Sequence, residues 1–215
     1  MAAMTACIVQ ARLASTRLPA KVLLPLPTGR TVLEEVLFRC KQISGVSVVA
    51  AAVPDTSENS ILMPFLIKAR VPFFLGSEHD VLSRYNFAAS ELRADVIMRI
   101  TSDCPLIDPE VCGKTLDLHC RISRGFVSNS WPTRTYPHGF DCEVFNADLL
   151  AEAHKNATEP EDREHVTRFF QRQPHIERAC LSTQEDRSHL RWTLDTLKDY
   201  VVIWSVFQEQ MREAA

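Results

Sequence analysis

A chain of 215 residues is long enough to bury one full hydrophobic core, and its 46% apolar and 24% charged content excludes a disordered polypeptide. Twenty-four basic residues stand against 27 acidic ones, a net charge of -3, which excludes the basic footprint of a duplex nucleic-acid binder; any anion site must be local. Seven cysteines, an odd number with no C-x-x-C spacing, argue against a disulfide framework and a thiolate zinc site, and most lie in apolar runs as small core residues. No apolar stretch approaches the length of a bilayer span, and the N-terminus lacks the charged and apolar regions of a signal peptide. The expectation is one domain over residues 1–215, soluble and cytoplasmic, with no membrane or nucleic-acid partner.

In chain order, the apolar run Ala6 to Val9 predicts a strand buried on both faces, followed by a polar loop. Thr31 and Glu34 form a T-x-x-E capping box for a helix whose Val32, Leu33, Val36, Leu37 and Cys40 share one face. Val46 to Val53 predicts a second strand, closed by Pro54 and Asp55. A helix over about Asn59 to Arg70, disturbed near its start by Pro64, precedes a short strand at Pro72 to Leu75. Ser77 and Asp80 suggest a capping box for a helix carrying Val81, Leu82, Tyr85, Ala88, Ala89 and Leu92. Asp95 to Thr101 reads as a strand, and Asp108 with Pro109 as the start of the next helix. Phe126 to Asn129 and Glu143 to Phe145 read as strands, Asn146 as the cap of a helix through His154, and Glu161 to Gln171 as a further helix. A late strand, Leu190 to Thr193, leads through Asp195 into a C-terminal helix capped by Thr196 with Asp199.

Apolar strands alternating with amphipathic helices predict an α/β fold, with a mostly parallel central sheet and helices on both faces. The less regular second half predicts a small antiparallel addition. Such sheets bind ligands beyond the carboxyl ends of their strands, so the chemistry belongs in the loops after Val9, Leu75, Thr101, Asn129 and Thr193.

The first of these loops, Gln10 to Lys21, holds Arg12, Arg17 and Lys21 with Ser15 and Thr16, and guanidinium and ammonium groups suit phosphate oxygens. It is not a Walker A loop, and a solvated basic loop is the alternative. In the second, Asp103 follows an apolar strand and precedes a rigid proline turn, where a carboxylate can hold Mg²⁺ against phosphates or merely shape an Asx-turn. Asp108 is better explained as a helix cap. Asp195, past the late strand, reads alone as a cap but with Asp103 completes a two-carboxylate Mg²⁺ site. The long segment Ser128 to Glu143 mixes aromatic, cationic, imidazole and acidic groups that suit a sugar bearing hydroxyls or a carboxylate. Its acceptor candidates are Asn129, Arg134, Tyr136, His138, Asp141 and Glu143, with Glu164, His165 and Arg191 added to the same wall; a packed or dimer-interface histidine is the alternative for His165.

Together QARLASTRLPAK, RITSDCPLIDP and SHLRWTLDT, with FFLGSEHDVLSRY, FVSNSWPTRTYPHGFDCEVF and EPEDREHVTRFF, resemble the signatures of the SpsF-type (spore-coat polysaccharide protein F) cytidylyltransferases, relatives of the CMP-Kdo and CMP-sialic acid synthetases. The resemblance runs from about Ala6 to about Tyr200. It implies a nucleotide-diphospho-sugar transferase, Rossmann-like fold, a homodimer, and Mg²⁺-dependent transfer of CMP from CTP to a sugar-like acceptor. It implies CTP binding by Arg12, Ser15, Arg17 and Lys21, with Gln10, Ala11, Thr101 and Ser102 beside them, and metal binding by Asp103 and Asp195. The loop from Gly76 to Arg84, with Ser77 and Asp80, lies where that family reads the base. Ala20 and Ser102 stand where the family usually has glycine. Asp141, His165 or a metal-bound water are the candidate bases. The alternatives are a glycosyltransferase of the same fold using a finished nucleotide sugar, and a non-catalytic nucleotide-binding partner.

Overall fold

A computed structural model describes residues 3–122 and 124–213. Seven strands, β1 (Thr5–Gln10), β2 (Val48–Pro54), β3 (Phe73–Gly76), β4 (Val96–Thr101), β5 (Gly125–Ser128), β6 (Glu143–Asn146) and β7 (Glu177–Cys180), form one sheet in the order β3-β2-β1-β4-β6-β5-β7. The ladders β1–β2, β1–β4, β2–β3 and β5–β7 are parallel, and β6 runs antiparallel to both of its neighbours. The strand period of two sorts β1 between two cores. Cys7 and Val9 pack with Leu33, Leu37, Leu66 and Leu116, whereas Ala6 and Ile8 pack with Leu82, Tyr85, Leu149 and Phe170.

The first core is covered by α1 (Val32–Cys40), α2 (Met63–Lys68) and α4 (Pro109–His119), and the second by α3 (Val81–Glu91), α5 (Ala147–Asn156) and α7 (Arg168–Arg172). A short α6 (Pro160–His165) precedes α7, and α8 (Leu197–Glu213) buries Ile203 and Phe207 in a third cluster with Leu26, Val32, Leu106 and Leu194. The seven cysteines are all free, and Cys7, Cys40, Cys104, Cys112 and Cys142 are buried. No helix among the described residues is long and apolar enough to cross a membrane.

The α1 capping box forms as its sequence dictates, with Thr31 Oγ1 accepting from Glu34 N and Glu34 Oε2 accepting from Thr31 N at 2.8 Å. Four expectations are corrected. Leu190 to Thr193 is not a strand: only Arg191 bridges, to His138. The polar segment Glu177–Cys180, unmarked by an apolar run, forms β7 instead. Glu161 to Gln171 is not one helix, because Val166 at φ 60° separates α6 from α7. Asn146 does not cap α5 with its side chain; its Oδ1 accepts from Gly125 N at 2.8 Å and meets His119 Nε2 at 3.1 Å, tying β5 to β6. Ser77 and Asp80 also share their work differently from a capping box: Asp80 is the cap, accepting from Ser83 N, and Ser77 Oγ accepts from Asp80 N.

Candidate active site

The carboxyl ends of β1 and β4 open into a cavity of about 670 Å³. The loop after β1 is shaped by its own polar groups: Ser15 Oγ accepts from Leu18 N at 3.3 Å, Leu13 N donates to Asn59 Oδ1 at 2.8 Å, and Ala20 N donates to the Leu13 carbonyl at 3.2 Å. Ala20 lies in the left-handed region at φ 56°, which explains the glycine usual at that position. The turn delivers Lys21 to the first position of a 3-10 turn and into the cavity.

Asp103, near the middle of the chain, and Asp195, near its end, reach the same point. The Asp103 carbonyl accepts from Leu194 N at 2.8 Å, so the loop after β4 is stitched to the segment that enters α8. Lys21 Nζ donates to Asp103 Oδ2 at 2.7 Å and to Asp195 Oδ1 at 2.9 Å, which places both carboxylates within reach of one cationic centre. Arg17 adds a 2.7 Å contact to Asp195 Oδ1, and Arg191 pairs with Asp195 Oδ2. Burial pushes the Asp195 carboxyl up, but Lys21, Arg17 and Arg191 outweigh it and hold it below the usual carboxylate range. The helix cap belongs to Thr196 and Asp199: Asp199 Oδ2 accepts from Thr196 N at 2.7 Å and from Asp195 N at 3.0 Å. The Asp195 carboxylate is thereby left to the cations. Asp108, by contrast, caps α4 by accepting from Glu110 N and Val111 N.

The cavity is lined by Gln10, Ala11, Arg12, Ser15, Arg17 and Lys21 from the first loop, and by Thr101, Ser102 and Asp103 from the second. Arg84, Asp141, Glu164, His165 and Asp195 complete the expected residues that it brings together. Ser102 is buried and its N–H donates to the Gln10 carbonyl at 3.0 Å, so its small side chain replaces glycine without opening the turn. Arg84 is buried and donates through NH1 to the carbonyls of Ser77 and Glu78, fixing the loop before α3. Burial and the neighbouring Arg12 weaken its hold on its proton, against the pull of Tyr85, Glu78 and Asp80.

Eight other expected residues stand off the cavity wall. Ser77 and Asp80 shape the start of α3, and Asp80 also pairs with Arg163 at 2.7 Å. Asn129 bridges its own loop, donating to the Phe140 carbonyl at 2.6 Å and accepting from Cys142 N at 2.9 Å. Arg134 pairs with Asp141, and Gly139 N donates to Asp141 Oδ2 at 2.9 Å. Burial pushes the Asp141 carboxyl up and these donors pull it below its ordinary value. Gly139, at φ 104°, lies where a Cβ would meet the Trp192 backbone at 2.7 Å, and only glycine allows that approach. Tyr136 is half-buried in the same loop, and His138 contributes backbone bonds to Leu190 and Trp192. Arg191 is committed to Asp195 and Asp199.

Glu143 is internal as well: its Oε2 accepts from Arg99 at 2.6 Å and its Oε1 from Thr167 Oγ1 at 2.9 Å. Arg99 lines the cavity, and sequence reasoning gave it no role. Its signal was available, since an arginine inside the apolar strand VIMRIT must find a partner. It finds Glu143 and also donates to Gln10 Oε1 at 3.0 Å, and although burial works against its charge, Glu143 raises its affinity for the proton.

Comparison with known proteins supplies the frame for this geometry. The spore coat polysaccharide biosynthesis protein SpsF of Bacillus subtilis is 32% identical over 214 residues, 94% of this chain and 85% of that protein. A cytidylyltransferase structure from Leptospira borgpetersenii superimposes with a TM-score of 0.89 at 30% identity, covering 94% of this chain and 86% of the other. The structure of CMP:2-keto-3-deoxy-manno-octonic acid synthetase complexed with CTP shares the fold at a TM-score of 0.73 and 16% identity, covering 96% and 99%. The family model described as Cytidylyltransferase matches residues 6–214, and the chain belongs to that family.

Proposed function

We propose that this chain transfers CMP from CTP to a hydroxyl of a small sugar-like acceptor and releases pyrophosphate. The observation that carries the proposal is the meeting of Asp103 and Asp195 at Lys21 Nζ, inside a cavity edged by Arg12 and Arg17. The acceptor oxygen attacks the α-phosphorus in line, the bond from that phosphorus to the bridging oxygen breaks, and the leaving pyrophosphate carries away the electron pair. Lys21 and Arg17 hold the phosphate oxygens on which charge develops. Arg12, with Thr101 and Ser102 beside it, lines the path of the triphosphate, and Arg84 fixes the loop from Ser77 that borders the base. Asp141 is a weak base, because Arg134 and Gly139 already occupy its lone pairs. The His165 imidazole, on the same wall, takes the proton from the acceptor hydroxyl.

The donor set suits magnesium, since two carboxylates already turn to one cationic centre and phosphate oxygens and water can fill the remaining positions. Asp103 and Asp195 hold Mg²⁺ in this proposal, and the ion supplies neutralisation of the triphosphate charge when bound. The SpsF relative is named for polysaccharide biosynthesis, which supports a role in making a surface glycan. A homodimer and a cytoplasmic setting belong to the same proposal and rest on the family resemblance. The test is pyrophosphate release from each nucleoside triphosphate with Mg²⁺ and a panel of acidic sugars and polyols. Release with CTP alone is expected; preference for a purine triphosphate, or no acceptor-dependent release, refutes it.

A further inference from the structure

The wall that carries Glu164 and His165 is held by an unusual piece of backbone. Val166 sits at φ 60°, ψ -59°, a conformation that a β-branched residue almost never adopts. Thr167 N donates to the His165 carbonyl at 2.5 Å, so residues 165–167 form a γ-turn of the strained kind. Glu161 to Gln171 could otherwise run as one helix, and at the break Thr167 Oγ1 also lies 3.3 Å from the His165 carbonyl, a contact that follows from the turn. What compels the break is tertiary. The Val166 side chain is fully buried in the core with Phe170 and Ala153. Thr167, also buried, donates Oγ1 to Glu143 Oε1 at 2.9 Å, and Glu143 is fixed in turn by Arg99, whose other nitrogen holds Gln10. Gln10 lines the triphosphate side of the cavity, and Glu164 and His165 line it where α6 ends.

We propose that the γ-turn at Val166, locked by the chain Thr167–Glu143–Arg99–Gln10, sets His165 and Glu164 for the acceptor, and that Thr167, Glu143 and Arg99 are positioning residues. Strained backbone persists where the surroundings over-determine it, and such sites cluster where geometry matters to function. A turn that only ended a helix would need no buried carboxylate beneath it. Glu143 shares its two oxygens between Arg99 and Thr167, so the acceptor wall and the nucleotide wall keep one register. The proposal rests on the cytidylyl-transfer function for its kinetic consequence and on geometry alone for the placement of His165.

Thr167→Val keeps the shape and removes the hydroxyl, and Thr167→Ser restores it. With CTP saturating and, as the acceptor probe, the sugar or polyol of the acceptor panel that gives the fastest release, kcat/KM for the acceptor should fall about tenfold or more in Thr167→Val and recover in Thr167→Ser. CTP affinity by calorimetry should stay within about twofold in both, since the nucleotide loops are untouched. Equal kcat/KM in a folded Thr167→Val, or an equal loss of CTP affinity, overturns the proposal. A wild-type protein that releases no pyrophosphate from CTP with any sugar or polyol of the panel sinks the function separately. The turn is then judged by the imidazole cross-peak of His165, assigned by its loss in His165→Gln. That peak should move in Thr167→Val and return in Thr167→Ser, and an unmoved peak overturns the proposal. Should Thr167→Val fail to fold, Glu143→Gln takes its place in both measurements: a loss of acceptor kcat/KM and a moved peak are expected, and the absence of either overturns the proposal.

Discussion

Lys21 stands between two carboxylates, and replacing it with methionine exposes what it does there. The methionine keeps the stem and deletes the ammonium. The side chains of Lys21 and Asp195 are each 12% exposed and that of Asp103 is 24% exposed, so solvent screens the trio only in part. Breaking a buried pair by removing one partner costs roughly 3–5 kcal/mol, because an uncompensated charge remains. Here the cost is smaller: Asp195 keeps Arg17 and Arg191, and Asp103 is wet enough to recover hydration. A loss of about 1–2 kcal/mol follows, which for a chain of this size lowers the melting temperature by roughly 2–8 °C.

The same substitution should enlarge the effect of magnesium. Without the ammonium, the two carboxylates repel, and a divalent cation that binds only the folded state stabilises it by mass action. Melting curves in EDTA and in a Mg²⁺ series are the assay. Lys21→Met should melt lower than wild type in EDTA and gain more from Mg²⁺. A variant that melts higher than wild type in EDTA refutes the neutralising role of Lys21. Equal Mg²⁺ responses in the two proteins refute a cation site at Asp103 and Asp195.

Ala20→Gly should raise stability by about 0.5–1 kcal/mol: the left-handed conformation costs alanine about 1–2 kcal/mol, and the freer unfolded glycine chain returns part of it; an unchanged urea midpoint counts against strain there. Arg17→Ala, at an exposed side chain whose loss leaves the core intact, should weaken CTP binding by about 1.5–3 kcal/mol, and unchanged calorimetric affinity sinks its phosphate role. Asp103→Asn should reduce pyrophosphate release by about 100-fold or more at limiting Mg²⁺, while near-normal turnover removes it from the metal site. Asp195 predicts a pH dependence whose sign is fixed by its depressed folded pKa. The stability it contributes is fully present above the unfolded carboxylate value of about 3.9 and is lost as pH falls through the lower folded value. Metal-free melting temperatures should hold above about pH 5 and fall below about pH 4, and a fall just as steep in Asp195→Asn disproves the assignment.

What was legible in the sequence is what strand geometry makes local. Runs such as Ala6 to Val9 and Val46 to Val53 must be buried on both sides, which marks a parallel sheet and places the loops after them at its carboxyl edge. Asp103 could be located by that rule. Asp195 followed no strand, yet it lies in the same cavity. Its segment is carried there by the bond from Leu194 N to the Asp103 carbonyl and by the approach of Trp192 to Gly139, contacts between distant segments that leave no periodicity in either. β7 escaped for a related reason: it is an edge strand with exposed Glu177 and Arg178, so its pairing with β5 replaces burial as the cause of its conformation.

Charged residues were harder to read than apolar ones, because one residue type serves opposite purposes. Asp195 and Glu143 are both acidic residues at the border of a segment that bears site candidates, and both accept from arginine. Asp195 meets Lys21 and Arg17, the cations that the proposed reaction turns to the triphosphate, and it faces the cavity. Glu143 meets Arg99 and Thr167, both held by the fold, and it stands behind the wall. The difference lies in whether the partner is free to leave, which spacing along the chain does not encode. Arg99 is the instructive case. An arginine in the middle of β4 costs too much to bury without a fixed carboxylate, so its presence implies Glu143 or an equivalent. From that arginine outward, the path through Glu143 and Thr167 leads to the break at Val166, and thus to the reason that His165 faces the cavity at all.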